Sequence, residues 1–482
     1  MKRQSGVLMH ISELPGEYSC GSFGREAREF VDLISDMGFS VWQVLPFGLT
    51  DAFNSPYTSY SAFGGNPYFI DLPTLFEANL ITRDELDTAR QKTPYVCEYK
   101  RLYDERYALL LKASRRVKDR GAVESFISER PELEEFCRFM TNKNLNSEAP
   151  WWEWKPEQTS DDRDSELLFM WKFIQYEFFR QWNELHGYCA KKGVRVIGDM
   201  PIYVSLDSCD VWAHREQFLL DRDNKPQFVA GVPPDYFAKD GQLWGNPLYD
   251  WEHMKLDGYS WWTARMTMAL EMFDGVRIDH FRALSSYWAV PGTAKTAREG
   301  EWRKGPGREF IDKLNSLKGD GRLIIAEDLG DIDEAVYELV EYSGFPGMRV
   351  FQFGFFGDAD SPHRPHSYVN NCVAYTGTHD NNTLLGFVWE MPDDQKSFML
   401  DYCFYDGADR NGCCPNIIKM MFASQAGLVV MPVQDLLGFG SDTRLNRPGV
   451  AAGNWEFRTT REQLAGIDRA RFARLNELYS RR

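Results

Sequence analysis

"GVRIDHFRAL", residues 275–284, opens as a buried β-strand and then sets an arginine and an aspartate two residues apart. Side chains alternate across a strand, so Arg277 and Asp279 share one face while Val276 and Ile278 take the other. Taken alone, the pattern fits a structural ion pair capping a strand. It fits equally a pair of ions on the functional rim of a barrel. The rest of the chain has to decide between these readings.

Seven more runs have the same short, apolar, β-branched character: "SGVLMHIS" (5–12), "FSVWQVLP" (39–46), "VRVIGDMP" (194–201), "RLIIAEDL" (322–329), "GMRVFQF" (347–353), "CVAYTGT" (372–378) and "LVVMPVQ" (428–434). Helical patterns separate them. In "REAREFVDLISDMG" (25–38), Ala27, Phe30, Val31 and Ile34 make one face and Gly38 supplies a stop. A long aromatic helix follows Ser165 and ends at Gly193, just before the third strand. Strand and helix alternate eight times, and no glycine-rich phosphate loop follows the first strand, so a closed (β/α)8 TIM barrel is expected rather than an open doubly wound sheet.

Two connections are too long for simple turns. Residues 47–164, after the second strand, and 202–250, after the third, are expected as largely helical subdomain insertions on a single catalytic barrel spanning 1–482. Both leave strand C-termini, the face on which barrels build their sites, so they should wall a cleft.

Composition narrows the partners. The formal net charge of −16 opposes binding to a polyphosphate backbone, and no dense basic block relieves it, so nucleic acid is excluded as a partner. No apolar run is long enough to span a bilayer and no signal-peptide core is evident, so no membrane association and a cytoplasmic location are expected. The nine cysteines lack metal-site or C-x-x-C spacing and read as reduced thiols. The oligomeric state is left open.

Four strands end in acids: Asp199, Asp279, Glu327 and Asp380. Each alone can be a cap or a hydrogen-bond acceptor; in a barrel all four converge on one rim. Paired carboxylates about 5 Å apart suit retaining glycoside chemistry, in which one attacks the anomeric carbon and the other protonates the leaving oxygen. Arg277 shares the face of Asp279 and favours its ionised form, whereas Glu327 follows an apolar run and is raised by desolvation. Asp380 reads as a third acid gripping sugar hydroxyls. The rival chemistry is a divalent metal held by carboxylates beside a lysine or histidine base; no lysine stands at these strand ends, so no metal and no cofactor are expected.

The segments "NSPYTSYSAFGGNPYFIDL" (54–72), "VIGDMPIYVSLDSCDVW" (196–212), "VAGVPPDYFAKDGQLWGNPLYDW" (229–251), "GVRIDHFRALSSYWAVP" (275–291), "IIAEDLG" (324–330), "YTGTHDNNTLLGF" (375–387) and "PVQDLLGFGSDTRLNRPGVAAGNWEFR" (432–458) resemble the amylomaltases, or 4-α-glucanotransferases, of the wider α-amylase clan. The resemblance covers nearly the whole chain. It implies a retaining transfer of α-1,4-glucan segments to the 4-hydroxyl of glucose or another glucan through a covalent glycosyl-aspartate. Asp279 would be nucleophile, Glu327 general acid/base and Asp380 transition-state stabiliser. Arg277, His280, His379 and Asp199 would line the subsite of the sugar under attack. Tyr57 would contact the donor side, and Tyr236, Phe237, Trp244 and Asn246 the acceptor side. The partners implied are α-1,4-glucans and maltooligosaccharides, with glucose as acceptor. The chain departs from the family after His280, reading "HFRALSSYW" where "HFRGFEAYW" is expected, so Ala283 replaces a glycine and a serine replaces an acid.

Read from the residues alone, Tyr57 among Ser, Pro and Gly is equally a turn residue, and Asn454 and Trp455 carry a similar ambiguity. A glucan hydrolase with the same acids and a catalytically silent glucan-binding scaffold stand as the alternatives; products longer than the substrate would separate the transferase from both.

Overall fold

A computed structural model describes residues 1–155, 165–234, 239–356, 360–450 and 452–482. Its strands are β1 (Gln4–Leu8), β2 (Val41–Gln43), β3 (Arg195–Met200), β4 (Phe228–Val232), β5 (Gln242–Pro247), β6 (Gly275–Ile278), β7 (Ser286–Pro291), β8 (Glu301–Lys304), β9 (Leu323–Ala326), β10 (Gly347–Val350), β11 (Cys372–Tyr375) and β12 (Leu428–Pro432). Eight of them, one inside each apolar run, close as a parallel barrel in the order β1-β12-β11-β10-β9-β6-β3-β2. Every neighbouring pair is parallel, as crossover helices require.

The alternation along each strand sorts its residues into two cores. Leu8, Val41, Ile197, Ile325, Val350, Val373 and Val430 pack into one cluster inside the barrel. Val196, Val276, Ile278, Ile324, Ala374 and Val429 belong to the larger cluster shared with the surrounding helices. In β6, Val276 and Ile278 therefore face the helices, which turns Arg277 into the barrel. The same period of two carries Asp199 inward with Ile197, and Glu327 inward with Leu323 and Ile325.

Between β2 and β3 lie the helices Leu72–Glu77, Arg83–Thr88, Tyr99–Arg115, Arg120–Ser128 and Pro131–Leu145, followed by the long helix Ser165–Lys191 that returns to the barrel. The entry to this segment passes close beneath that helix. A Cβ on Gly65 would lie 2.3 Å from the Phe178 ring, so Gly65→Ala is expected to lower the unfolding free energy by about 1–3 kcal/mol, read from the shift in denaturant midpoint.

The 202–250 segment differs from the helical expectation. Beside the short helix Cys209–Ala213 it carries β4 and β5, which join β7 and β8 in a four-stranded antiparallel sheet of order β5-β4-β7-β8. The strands are short, the β4–β5 and β7–β8 pairs are joined by nine-residue connections rather than two-residue turns, and β4 meets β7 only across more than fifty residues, so no tight-turn signal announces the sheet. β7 and β8 form a further excursion, after β6, that the periodicity did not single out. Among the described residues no helix is long and apolar enough to cross a membrane.

Candidate active site

Register places the acids before any side-chain detail is needed. Asp199 on β3 is the direct partner of Arg277 on β6. Ile278 on β6 is the partner of Ala326 on β9, so the next residues, Asp279 and Glu327, are neighbours across strands roughly 4.8 Å apart. Backbone bonds extend this pairing past the strand ends: Asp279 N–H donates to Met200 O at 2.9 Å, Glu327 N–H to Ile278 O at 3.1 Å and Phe281 N–H to Glu327 O at 3.0 Å.

Arg277 is the electrostatic centre. Its Nη1 reaches both oxygens of Asp199, at 2.8 and 2.7 Å, and its Nη2 lies 2.9 Å from Asp279 Oδ1. The Asp199 side chain is 0% exposed and that of Asp279 is 28% exposed, so of the two only Asp279 reaches solvent. Burial opposes the arginine's charge, but Asp199 and Asp279 more than offset it and hold its pKa well above the ordinary value. Removing one partner of a buried ion pair strands the other. Asp199→Ala is therefore expected to cost about 3 kcal/mol of stability, measured by urea or guanidinium unfolding.

Glu327 is positioned by two backbone donors, His280 N–H on Oε2 at 2.6 Å and Leu329 N–H on Oε1 at 2.8 Å. His280 itself holds the left-handed backbone, φ 48°, a conformation costly for a residue with a Cβ and often concentrated at functional sites. Burial pushes the Glu327 carboxyl up to about 7, with Arg277 opposing and Asp279 reinforcing. Burial also lowers the His280 imidazole to about 4, so that ring is neutral near pH 7.

Across the barrel mouth, the loop after β11 brings His379 and Asp380. His379 Nε2 lies 3.3 Å from Asp380 Oδ2, Asn446 Nδ2 donates to Asp380 Oδ1 at 2.6 Å, and Arg444 donates to the Asp380 carbonyl at 2.6 Å. Burial disfavours the Asp380 charge, but His379 and Asn446 outweigh it and bring the carboxyl down to about 2. Tyr57 bridges the two sides. Its hydroxyl donates to Asp199 Oδ2 at 2.8 Å, so toward His379 Nδ1, at 3.4 Å, it can only accept. A His379 protonated on both nitrogens satisfies Tyr57 and Asp380 together, in agreement with its pKa, which Asp380 raises against the effect of burial. The Tyr57 ring stacks on His379 at 4.9 Å, and Trp455, itself at φ 67°, packs 5.8 Å from His379.

Of the remaining expected residues, Trp244 sits edge-on to His280 at 4.8 Å with its ring partly exposed. Asn246 donates an amide hydrogen to Val204 O at 2.9 Å. Tyr236 and Phe237 lie outside the described residues. Asn446 and Arg444, which orient Asp380, were not singled out from sequence, although both lie in the quoted "TRLNRPG" stretch. Among the described residues no group of three or more histidine, cysteine, aspartate or glutamate side chains is placed to hold a metal ion.

The family model for 4-alpha-glucanotransferase matches residues 9–463. The chain belongs to the 4-α-glucanotransferase family. It is 39% identical to the 4-alpha-glucanotransferase of Clostridium butyricum over 98% of this chain and all of that protein. It is also 39% identical to that of Thermus thermophilus, over 100% of this chain and 99% of the relative. Among solved structures, an amylomaltase from Streptococcus agalactiae in complex with acarbose superposes with a TM-score of 0.95 at 36% identity, each chain covered completely. As a 4-α-glucanotransferase the chain has to pass a sugar between two hydroxyl oxygens.

Proposed function

We propose that this 4-α-glucanotransferase works by retaining double displacement on α-1,4-glucans, with Asp279 as nucleophile, Glu327 as general acid and then base, and Asp380 gripping the sugar as charge develops on it. The observation that carries the reading is the contrast between two neighbouring carboxylates: Asp279 paired with Arg277, Glu327 buried and raised to about 7. Their strand positions lie roughly one inter-strand spacing apart, which suits the short carboxylate distance of retaining rather than inverting chemistry.

In the first step Asp279 attacks the anomeric carbon and forms a glycosyl ester while Glu327 gives its proton to the departing 4-oxygen. In the second, Glu327, now ionised, takes the proton of an incoming 4-hydroxyl, whose oxygen displaces Asp279. Asp199 anchors Arg277 from behind. His379 and Tyr57 close the donor side. Trp244, with Tyr236, Phe237 and Asn246, receives the acceptor, where an indole packs well against the C–H face of a sugar. The S. agalactiae relative binds acarbose, which supports a glucan ligand for this cleft. The segments 47–164 and 202–250 act as subdomains that wall the cleft. All nine cysteines are unbonded thiols, which suits a reducing, cytoplasmic setting.

Incubation with maltotriose tests the reading. The transferase yields glucose and a ladder of longer oligosaccharides with little net gain of reducing ends. Shorter sugars alone, with rising reducing ends, would mark a hydrolase.

A further inference from the structure

The guanidinium of Arg277 carries donors on three nitrogens, and the two terminal ones meet the carboxylates of Asp199 and Asp279. The third, Nε, donates to a sulfur: Met348 Sδ lies 3.3 Å away and is the acceptor of that nitrogen among the described residues. Met348 is fully buried and is the one methionine in the cluster inside the barrel, where Ile325, Val350 and Val373 are its neighbours. Branched aliphatic side chains fill such an interior well but accept no hydrogen bond, and a buried N–H without an acceptor is destabilising. Methionine packs as an apolar side chain and still offers an acceptor.

The backbone around the sulfur is itself anchored beside the acids. Ile278, Ala326 and Gly347 form one row across β6, β9 and β10, so the residues one step further on, Asp279, Glu327 and Met348, occupy the next level of the barrel mouth. Met348 N–H donates to Asp328 Oδ1 at 2.6 Å, and the buried Asp328 carboxylate also pairs with Arg349 at 3.1 Å. Gly347 permits this approach, because a Cβ there would lie 2.4 Å from Asp328 Oδ2. The guanidinium is planar, so contacts at two of its nitrogens fix its orientation while a contact at one lets it turn. With Nη1 on Asp199 and Nε on Met348, the direction of Nη2 toward Asp279 Oδ1 is set.

We infer that Met348 is a positioning residue for the reaction: its thioether sulfur holds Nε of Arg277 and thereby fixes the nitrogen that aligns Asp279 for attack on the anomeric carbon. The inference rests on the reading of Asp279 as nucleophile. Met348 touches no sugar in this role; it acts through Arg277, and its loss leaves the arginine to pivot on Asp199.

Two substitutions test it. Met348→Leu removes the acceptor at nearly constant volume and should fold as the parent does, whereas Met348→Gln keeps an acceptor at similar reach but puts a polar group in an apolar wall. Packing alone ranks leucine above glutamine; a hydrogen bond to Nε ranks glutamine above leucine. On maltotriose, Met348→Leu should lower kcat about tenfold with KM little changed, and it should slow fluoride release from α-maltosyl fluoride by the same factor, because a misaligned nucleophile hinders the first step whatever the leaving group. Met348→Gln, once its thermal melt shows it folded, should recover most of that loss; if it does not fold, the leucine variant decides alone. Parental kcat in Met348→Leu would overturn the inference, as would a folded Met348→Gln no faster than Met348→Leu. So would a loss on maltotriose that spares fluoride release, the pattern of an effect through Glu327. A parental rate in Asp279→Asn would instead overturn the nucleophile reading on which the inference rests.

Discussion

Asp279→Asn is expected to lower the rate of maltotriose disproportionation by on the order of 10⁴-fold or more, the scale on which removal of an activated nucleophile acts. The variant should fold: Asp279 is partly exposed, and Arg277 keeps both of its contacts to the fully buried Asp199. Binding should survive, because His379, Asp380, Tyr57 and Trp244 are untouched. The loss should therefore fall on kcat, with KM little altered, and a thermal melt near that of the parent would show that no general unfolding underlies it. An unchanged rate would remove Asp279 from the chemistry.

The second large effect concerns Glu327. A general acid must carry its proton when the leaving oxygen departs, and burial sets this carboxyl to about 7 in the unliganded site. As pH rises through that value the proton is lost, so kcat/KM for maltooligosaccharides should fall on the alkaline side. Glu327→Gln is expected to cost about 10²- to 10⁴-fold on maltotriose and to abolish the alkaline limb. With a glycosyl fluoride donor, whose leaving group needs no proton, the first step should recover in this variant. If the alkaline limb persists in Glu327→Gln, another group is the acid.

The barrel was readable because each of its strands is buried on both faces and so appears as a short apolar run. The exceptions to apolarity, Asp199, Arg277, Asp279 and Glu327, then mark the inward positions at the strand ends. Their relative roles were readable in part: an arginine two residues from Asp279 and an apolar run before Glu327 foretell opposite electrostatic environments. What local pattern could not show is that Arg277 serves two acids. Its bond to Asp199 depends on the neighbouring strand: Asp199 is buried, and it fixes the arginine that holds Asp279.

Other features depend on contacts remote in sequence. Asn446 and Arg444 reach Asp380 across more than sixty residues. β4 finds β7 only after the chain has passed through β6. Tyr57, as plausible a turn residue as a ligand contact, gains its place from hydrogen bonds to Asp199 and His379, which come from opposite sides of the barrel. Each of these is set by tertiary pairing, which neither spacing nor periodicity encodes.

The central claim is a glycosyl-enzyme on Asp279. The most direct measurement is mass spectrometry of Glu327→Gln after brief exposure to an α-maltosyl fluoride: without a base for the second step, the intermediate should accumulate. The account predicts release of fluoride and a mass gain of one maltosyl unit on the proteolytic fragment that contains residues 275–284. Fluoride release with no adduct, or an adduct on any residue other than Asp279, would contradict it.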